Sequence, residues 1–542
     1  MKSAALLVTR TSPLAREAAL ASGLAALVAA TLAWAGPPGA DLAAHVYQRW
    51  VYIHHGFALW NNFWYAGRYS FVTYSLIYYP LAALFGIRVL ALASIATAAA
   101  AFTLVVVRQW GPRARLSSRT FAVLWVGIVG SAAFPFALAV SFALLSLWAL
   151  QEGRRGRFAV GAVLTLAASP LAFILLAIAG AGALLSRRSL RNVGTPVAAV
   201  VLAAAGELLL IRLFGGVGCF PFHLQQLLPA LIFVGLGLAV TWGVTAARPL
   251  RGFFAIYLVV VVAAYVIPSG VGSNIDRVRY VALPLALICC TLRQWRPLWL
   301  VVPTLALAGV WNATPIADTL MKSTTDPEIA HAYWAPAIQY LHRNLSPSYR
   351  VEAVDTEEHW PALYLPEAGI PIVRGWYRQS DFPQNELLYD QHLTAASYDQ
   401  WLRSLGVRYV VISDAAPDYS SQLEAQLIRS GRSGLVRVFT APHVAVYQLP
   451  HATPIVTGPA DASIDWLYPT RAVIEVGAPG TYRVALRWSP YWHTHAGCIA
   501  QGKDGMVRLH ATHDGLVDLT FTLSVHRGLD ALAGIKPDGS CG

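Results

Sequence analysis

The stretch "YLVVVVAAYVIP", residues 257–268, runs twelve residues without a charge, and "VALPLALICC" at 281–290 repeats the pattern. Runs of this kind, recurring through the first three-fifths of a chain, bury their apolar surface in lipid. The whole composition agrees: of 542 residues 56% are hydrophobic and only 13% charged, outside the balance of a soluble globular protein. A formal charge of +12 would suit nucleic acid, but its distribution does not. Residues 1–313 carry 23 Lys and Arg against five acids, net +18, and residues 314–542 carry 17 against 23, net −6. Seventeen of the first group fall in or beside six short breaks: the N-terminus, 108–119, 154–157, 187–191, 248–251 and 293–296. That is the positive-inside pattern; it sets these breaks on the cytoplasmic face and makes nucleic acid an unsuitable partner.

Alternating those breaks with turn signals predicts about eleven spans: 18–36, 88–107, 119–133, 136–151, 158–169, 171–186, 195–214, 227–246, 252–268, 279–293 and 297–313. Several are shorter than a perpendicular crossing requires, and "AAFPFA" and "AASPLA" read as hairpins turning within the bilayer. An odd count puts the N-terminus in the cytoplasm and residues 314–542 outside the cell membrane. Ala33-Trp34-Ala35 looks like a signal-peptidase site, but the apolar run before it is longer than a signal sequence has, so retention is the expectation.

The predicted organisation is a transmembrane domain, 1–313, containing a long outer loop at 37–87, then an α/β domain, 314–450, and a β-sandwich, 451–542. The α/β domain follows from strands at "YRVEAVD", "IPIVRG", "VRYVVIS", "LVRVFT" and "VAVYQL". They alternate with helices opened at Asp326 and closed at Gly406 and Gly431. Strands alone, among them "RAVIEV" and "GTYRVALRWS", give the sandwich. Cys219, Cys289 and Cys290 sit in or near apolar segments as packing residues, whereas Cys498 and Cys541 are candidates for a disulfide.

With only five carboxylates in 1–313, each is informative. Glu17 and Glu152 lie at cytoplasmic ends and suit ion pairs; Glu207 suits a pair with Arg212. Asp41 and Asp276 stand at the outer surface. Asp41 and His45 share a helical face, which fits a catalytic base, a carboxylate orienting an imidazole, or two ligands of a divalent cation. The competing reading makes Asp41 a helix N-cap. Asp276 can neutralise one of Arg277 and Arg279, leaving the other for an anion such as phosphate. The loop after Asp41 offers His54, His55, Trp60, Asn61, Asn62, Trp64, Tyr65, Arg68, Tyr74 and Tyr78 as sugar-binding candidates. Walker, dinucleotide, zinc-protease and G-x-S-x-G signatures are absent.

Asp41 with His45, the Trp60–Gly67 segment, and Tyr78-Tyr79-Pro80-Leu81 resemble GT-C-type glycosyltransferases. They are closer still to bacterial membrane proteins related to 6-pyruvoyl-tetrahydropterin synthase. "AASPLAF", "RYVALPLAL", "WLRSLGVRYVVIS" and "YRVALRWSPYW" extend the likeness along the chain. Departures are Gly39-Ala40 before the acid, a single acid where many such enzymes have two, and Ser169-Pro170 in place of His-Pro. The resemblance implies transfer of a sugar from a polyprenyl-phosphate donor to a cell-envelope glycan, lipid or protein on the outer face. In that scheme Asp41 is the base, and Arg277 and Arg279 hold the donor phosphate. The alternatives are a non-catalytic envelope-assembly or glycan-binding protein and a transporter of lipid-linked glycan, the latter disfavoured by the lack of an internal repeat.

Overall fold

The computed structural model describes residues 12–186, 194–216, 218–321, 324–535 and 541. The basic N-terminus with Lys2 and Arg10, and the basic break at 187–191, lie outside the described residues. The chain forms two compact units, one of Met1–Gly39, Leu84–Glu207 and Pro221–Thr324, the other of Ala40–Ala83, Leu208–Phe220 and Thr325–Gly542. The long outer loop, expected within the transmembrane domain, is therefore divided: its residues 40–83 fold with the tail.

The first unit is helical throughout. Among the described residues, seven stretches are long and apolar enough to cross a membrane: Pro13–Ala35, Ile87–Ser131, Phe134–Gln151, Gly194–Leu213, Leu224–Thr241, Thr245–Val266 and Leu298–Met321. Ile87–Ser131 counts once although 3₁₀ turns at Gly111–Ala114 and Trp125–Gly127 break it. Three more predicted spans are helices too short to be counted, Arg155–Ala168, Pro170–Leu185 and Ala282–Leu292. The first two of these meet at an extended Ser169, with Pro170 opening the second helix. Close packing rests on small residues: a Cβ on Gly182 would stand 2.5 Å from the Phe253 nitrogen, so Pro170–Leu185 and Thr245–Val266 touch backbone to backbone. Glu17 is buried and takes both Arg119 Nε and Nη2, at 2.7 and 3.0 Å, and Glu152 pairs with Arg108. The expected Glu207–Arg212 pair does not form among the described residues. Five positions on a helix are about 140° apart, so the two side chains point to different faces.

The second unit holds two folded bodies. A four-stranded sheet has the order Arg350–Ala353, Val407–Ser413, Val444–Gln448, Val436–Thr440, its first pair parallel and the others antiparallel. Helices His331–Asn344, Ala395–Ser404 and Gln422–Arg429 accompany it. Asp326 caps a short 3₁₀ turn, Pro327–Ile329, and the helix predicted from there begins at His331. "IPIVRG" gives one isolated bridge, Val351 with Ile372, where a strand was predicted. After it comes the sandwich, two antiparallel four-stranded sheets. One runs Gly497–Gln501, Met506–Ala511, Gly480–Arg487, Val456–Thr457; the other runs Trp492–His493, Gly515–Phe521, Arg471–Val476, Ala462–Tyr468. Cys498 and Cys541 are joined by a disulfide.

Candidate active site

The chain turns into the Leu42–His55 helix directly after Asp41. The Asp41 side chain makes no capping hydrogen bond to that helix. Instead its Oδ1 accepts a hydrogen bond from Trp376 Nε1 at 2.6 Å, across 335 residues of sequence. His45, one turn on and fully buried, has Nδ1 3.1 Å from the Tyr79 hydroxyl. Rings close in around it: Trp376 at 5.3 Å edge-on, Tyr78 at 5.7 Å, Tyr79 at 6.0 Å and Tyr74 stacked at 6.2 Å. Tyr74 also meets Trp376 and Tyr377 edge-on, at 5.3 and 5.4 Å. Arg68 lies over the Tyr377 ring with its guanidinium carbon 3.4 Å from the centroid, and it donates to Thr73 Oγ1. Gln48 shares the helical face of Asp41, seven positions on, and is fully buried. Among the described residues neither atom of its amide has a hydrogen-bond partner, nor has the Tyr78 hydroxyl or Arg68 Nη1.

The tail's contribution is held rigidly from behind. Gly375 sits against Trp64, where a Cβ would come within 2.6 Å of the indole. Arg374 spans Asp381 and Glu424 at 2.9 and 3.3 Å, with Ser420 and Ser421 also bonded. Arg378 pairs with Asp355 and with Asp418, the latter at 3.0 Å. All of these groups are buried, so the charges are mutually satisfied and fix the 374–381 segment. Burial alone would raise the Asp355 and Asp381 carboxyls, but the cations around them, His359 and Arg378 for the first and Arg374 for the second, keep both below the usual range. His359, 2.6 Å from Asp355, is raised by that partner against the opposing effect of burial.

Several predicted sugar contacts are structural residues. Trp60 is in the sandwich core, stacked on Phe521 at 5.3 Å and edge-on to Trp492 at 5.6 Å, and its Nε1 donates to Asn62 Oδ1. Asn62 donates onward to the Tyr468 carbonyl, Asn61 to the Tyr47 hydroxyl, and Trp64 to the Ala362 carbonyl. The Tyr65 hydroxyl donates to the carbonyls of Gly375 and Tyr377. These five side chains have their polar groups and faces taken up by protein, so they dock the loop onto the tail. His54 and His55 are exposed at the far end of the Leu42–His55 helix. Thirteen residues of helix separate His54 from Asp41, about 20 Å of axial rise, so neither histidine belongs to this cluster.

In the helical unit, Asp276 is buried and lies 3.6 Å from Arg279 Nη1. Arg279 is thus compensated, and Arg277 is the better anion candidate. Arg277 donates to Asn274, rests over the Phe136 ring at 5.3 Å, and lines an apolar cavity of about 500 Å³. Phe102, Trp125, Phe136, Leu176 and Ile288 form much of its wall.

The Asp41 carboxylate already takes an indole N–H, the His45 imidazole Nδ1 faces a hydroxyl, and no group of three or more His, Cys, Asp or Glu suited to a metal occurs among the described residues.

No protein-family model matches the chain, and no curated protein matches it in sequence. Solved structures do match in fold. The mutant R1389S, class 2, of the arabinofuranosyltransferase AftD from Mycobacteria superposes with a TM-score of 0.50 at 12% identity, covering 94% of this chain and 60% of that one. The parent AftD structure gives 0.47 at 14% identity over 80% of this chain and 40% of that one. The chain thus spans 40–60% of the length of these neighbours, and the first match carries a likeness of fold alone.

Proposed function

We propose that this chain is a membrane glycosyltransferase of the cell envelope, moving a sugar from a polyprenyl-phosphate donor to an acceptor hydroxyl with Asp41 as general base. The observation that carries the reading is the Asp41 carboxylate. It makes no capping bond, it is oriented by Trp376, and it stands beside aromatic side chains and buried polar groups without partners among the described residues. In the step envisaged, an acceptor O–H gives its proton to Asp41 as its oxygen bonds to the anomeric carbon. The anomeric C–O bond to the phosphate breaks, and the polyprenyl phosphate leaves with the electron pair. A guanidinium is the kind of side chain that suits such a leaving group. Orientation follows from the basic breaks: N-terminus in the cytoplasm, tail outside.

The test is transfer in proteoliposomes. The AftD likeness makes polyprenyl-phosphate arabinofuranose the first donor to try, with envelope glycan as acceptor. Asp41→Asn should lower turnover by about 10²–10⁴ with the melting temperature unchanged. Wild-type turnover by that variant removes the base assignment.

One observation favours a second reading, a non-catalytic glycan-binding protein. On the sandwich's edge strand Ala462–Tyr468, Trp466 and Tyr468 are exposed and their rings are nearly parallel, with centroids 6.3 Å apart and planes 18° from each other. Such a platform accepts a sugar face without any chemistry. Glycan binding that is lost in Trp466→Ala, together with no transfer from any donor, would select it.

A further inference from the structure

After the last sandwich strand the chain forms a nine-residue helix, Val525–Ala533, that buries none of its side chains fully. Its faces are distinct. Arg527 and Ala531 lie toward the sandwich, Arg527 donating to Thr522 Oγ1 at 2.8 Å and Ala531 packing on the core. His526 and Asp530 form a polar pair, 2.8 Å apart, on another side. The remaining stripe is Val525, Leu529 and Leu532, at positions i, i+4 and i+7. Val525 is 82% exposed and Leu529 61%, and Leu523 and Ile535 flank the helix with exposures of 49% and 59%. Four large apolar side chains so placed on a nine-residue helix and its ends are costly in water.

What covers them follows from the neighbour of Gly528. A Cβ on that glycine would lie 3.7 Å from Leu213 Cδ2, and the Leu213 carbonyl accepts from the Tyr491 hydroxyl at 3.1 Å. Leu213 is the last residue of Gly194–Leu213, a helix long and apolar enough to cross a membrane. Its final turns expose Leu208 and Ile211, the side chains a span turns to lipid. The short helix therefore sits against the last residue of a helix long and apolar enough to cross a membrane.

We propose that Val525–Ala533 is an interfacial helix, embedded by Val525, Leu529 and Leu532 in the bilayer boundary beside the C-terminal end of Gly194–Leu213. Its polar pair then points to water, the arrangement that distinguishes a helix lying on a membrane from one crossing it. The partner is the phospholipid surface.

The full chain in phospholipid nanodiscs tests this, with p-benzoylphenylalanine introduced singly at 525, 529 or 526. These side chains are exposed, so the replacements leave packing intact. After irradiation, mass spectrometry should find phospholipid adducts at 525 and 529 in several-fold excess over 526. Equal lipid adducts at all three positions overturn the proposal, and so do chain-to-chain adducts at 525 or 529, which would make a second copy the occupant. This readout is independent of any transferase activity.

Discussion

Two aromatic clusters of one loop, residues 40–83, differ in a way that composition hides. Around Trp60, Asn62 and Trp64 each polar group named above has a protein partner and the indole rings are enclosed by the tail. Around Asp41, His45 and Tyr74 the rings are as dense, yet the Gln48 amide, the Tyr78 hydroxyl and Arg68 Nη1 are buried without partners among the described residues. A saturated cluster is a core; a buried cluster with polar atoms to spare is suited to a ligand. Aromatic density alone cannot separate them.

The comparison breaks most sharply at Trp60. Trp60→Ala should destabilise the tail by about 3–5 kcal/mol, the usual result of emptying a large indole site. Thermal unfolding in detergent measures it, and a stable protein deficient only in transfer would return Trp60 to the sugar-binding set. Next comes Gln48→Leu. Removing a buried amide without partners should leave stability unchanged or raise it by about 1–3 kcal/mol. If the amide serves acceptor hydroxyls, the acceptor KM rises several-fold with kcat less affected; an unaltered KM makes Gln48 a core residue like Asn61.

Trp376→Phe keeps the ring and deletes the N–H, a loss of about 1.5–3 kcal/mol in a bond to a charged group. A donor to the carboxylate favours its charged form, so without it the Asp41 pKa rises. The acidic limb of the kcat/KM profile should then move to higher pH; Trp60→Phe should leave that limb in place. The smallest effect lies behind Trp376. Burial lifts Glu424 to about 7 in spite of Arg374. A carboxyl raised above its ordinary 4.5 holds its proton more tightly in the fold, so tail stability falls as pH rises from about 4.5 to 7. Glu424→Gln should flatten part of that fall in melting temperature. If the variant also shifts the acidic limb of the rate profile, the ion network and the Asp41 cluster are one coupled region.

The apolar runs and the placement of basic residues were enough to indicate a polytopic membrane protein, because lipid imposes length and composition on any helix it surrounds. Val407–Ser413 and Val444–Gln448 were legible for the same kind of reason, a local pattern of β-branched residues closed by turns. Asp41 and His45 stood out because a helical period of 3.6 is a local property. Trp376, Tyr377 and Gln48 were missed. The quartet "GWYR" at 375–378 held the signal, but nothing local tells an indole that reaches a carboxylate from one that fills a core.

What the sequence determined by itself is the class of environment for each segment, lipid, sheet or helix, since those depend on a residue and its near neighbours. Only the tertiary structure decided that the loop after Asp41 belongs to the tail, that Trp60 is core, and that the indole on Asp41 comes from 335 residues away. Such pairings join atoms distant along the chain, and their free energy depends on which groups are left to satisfy one another once everything local has folded.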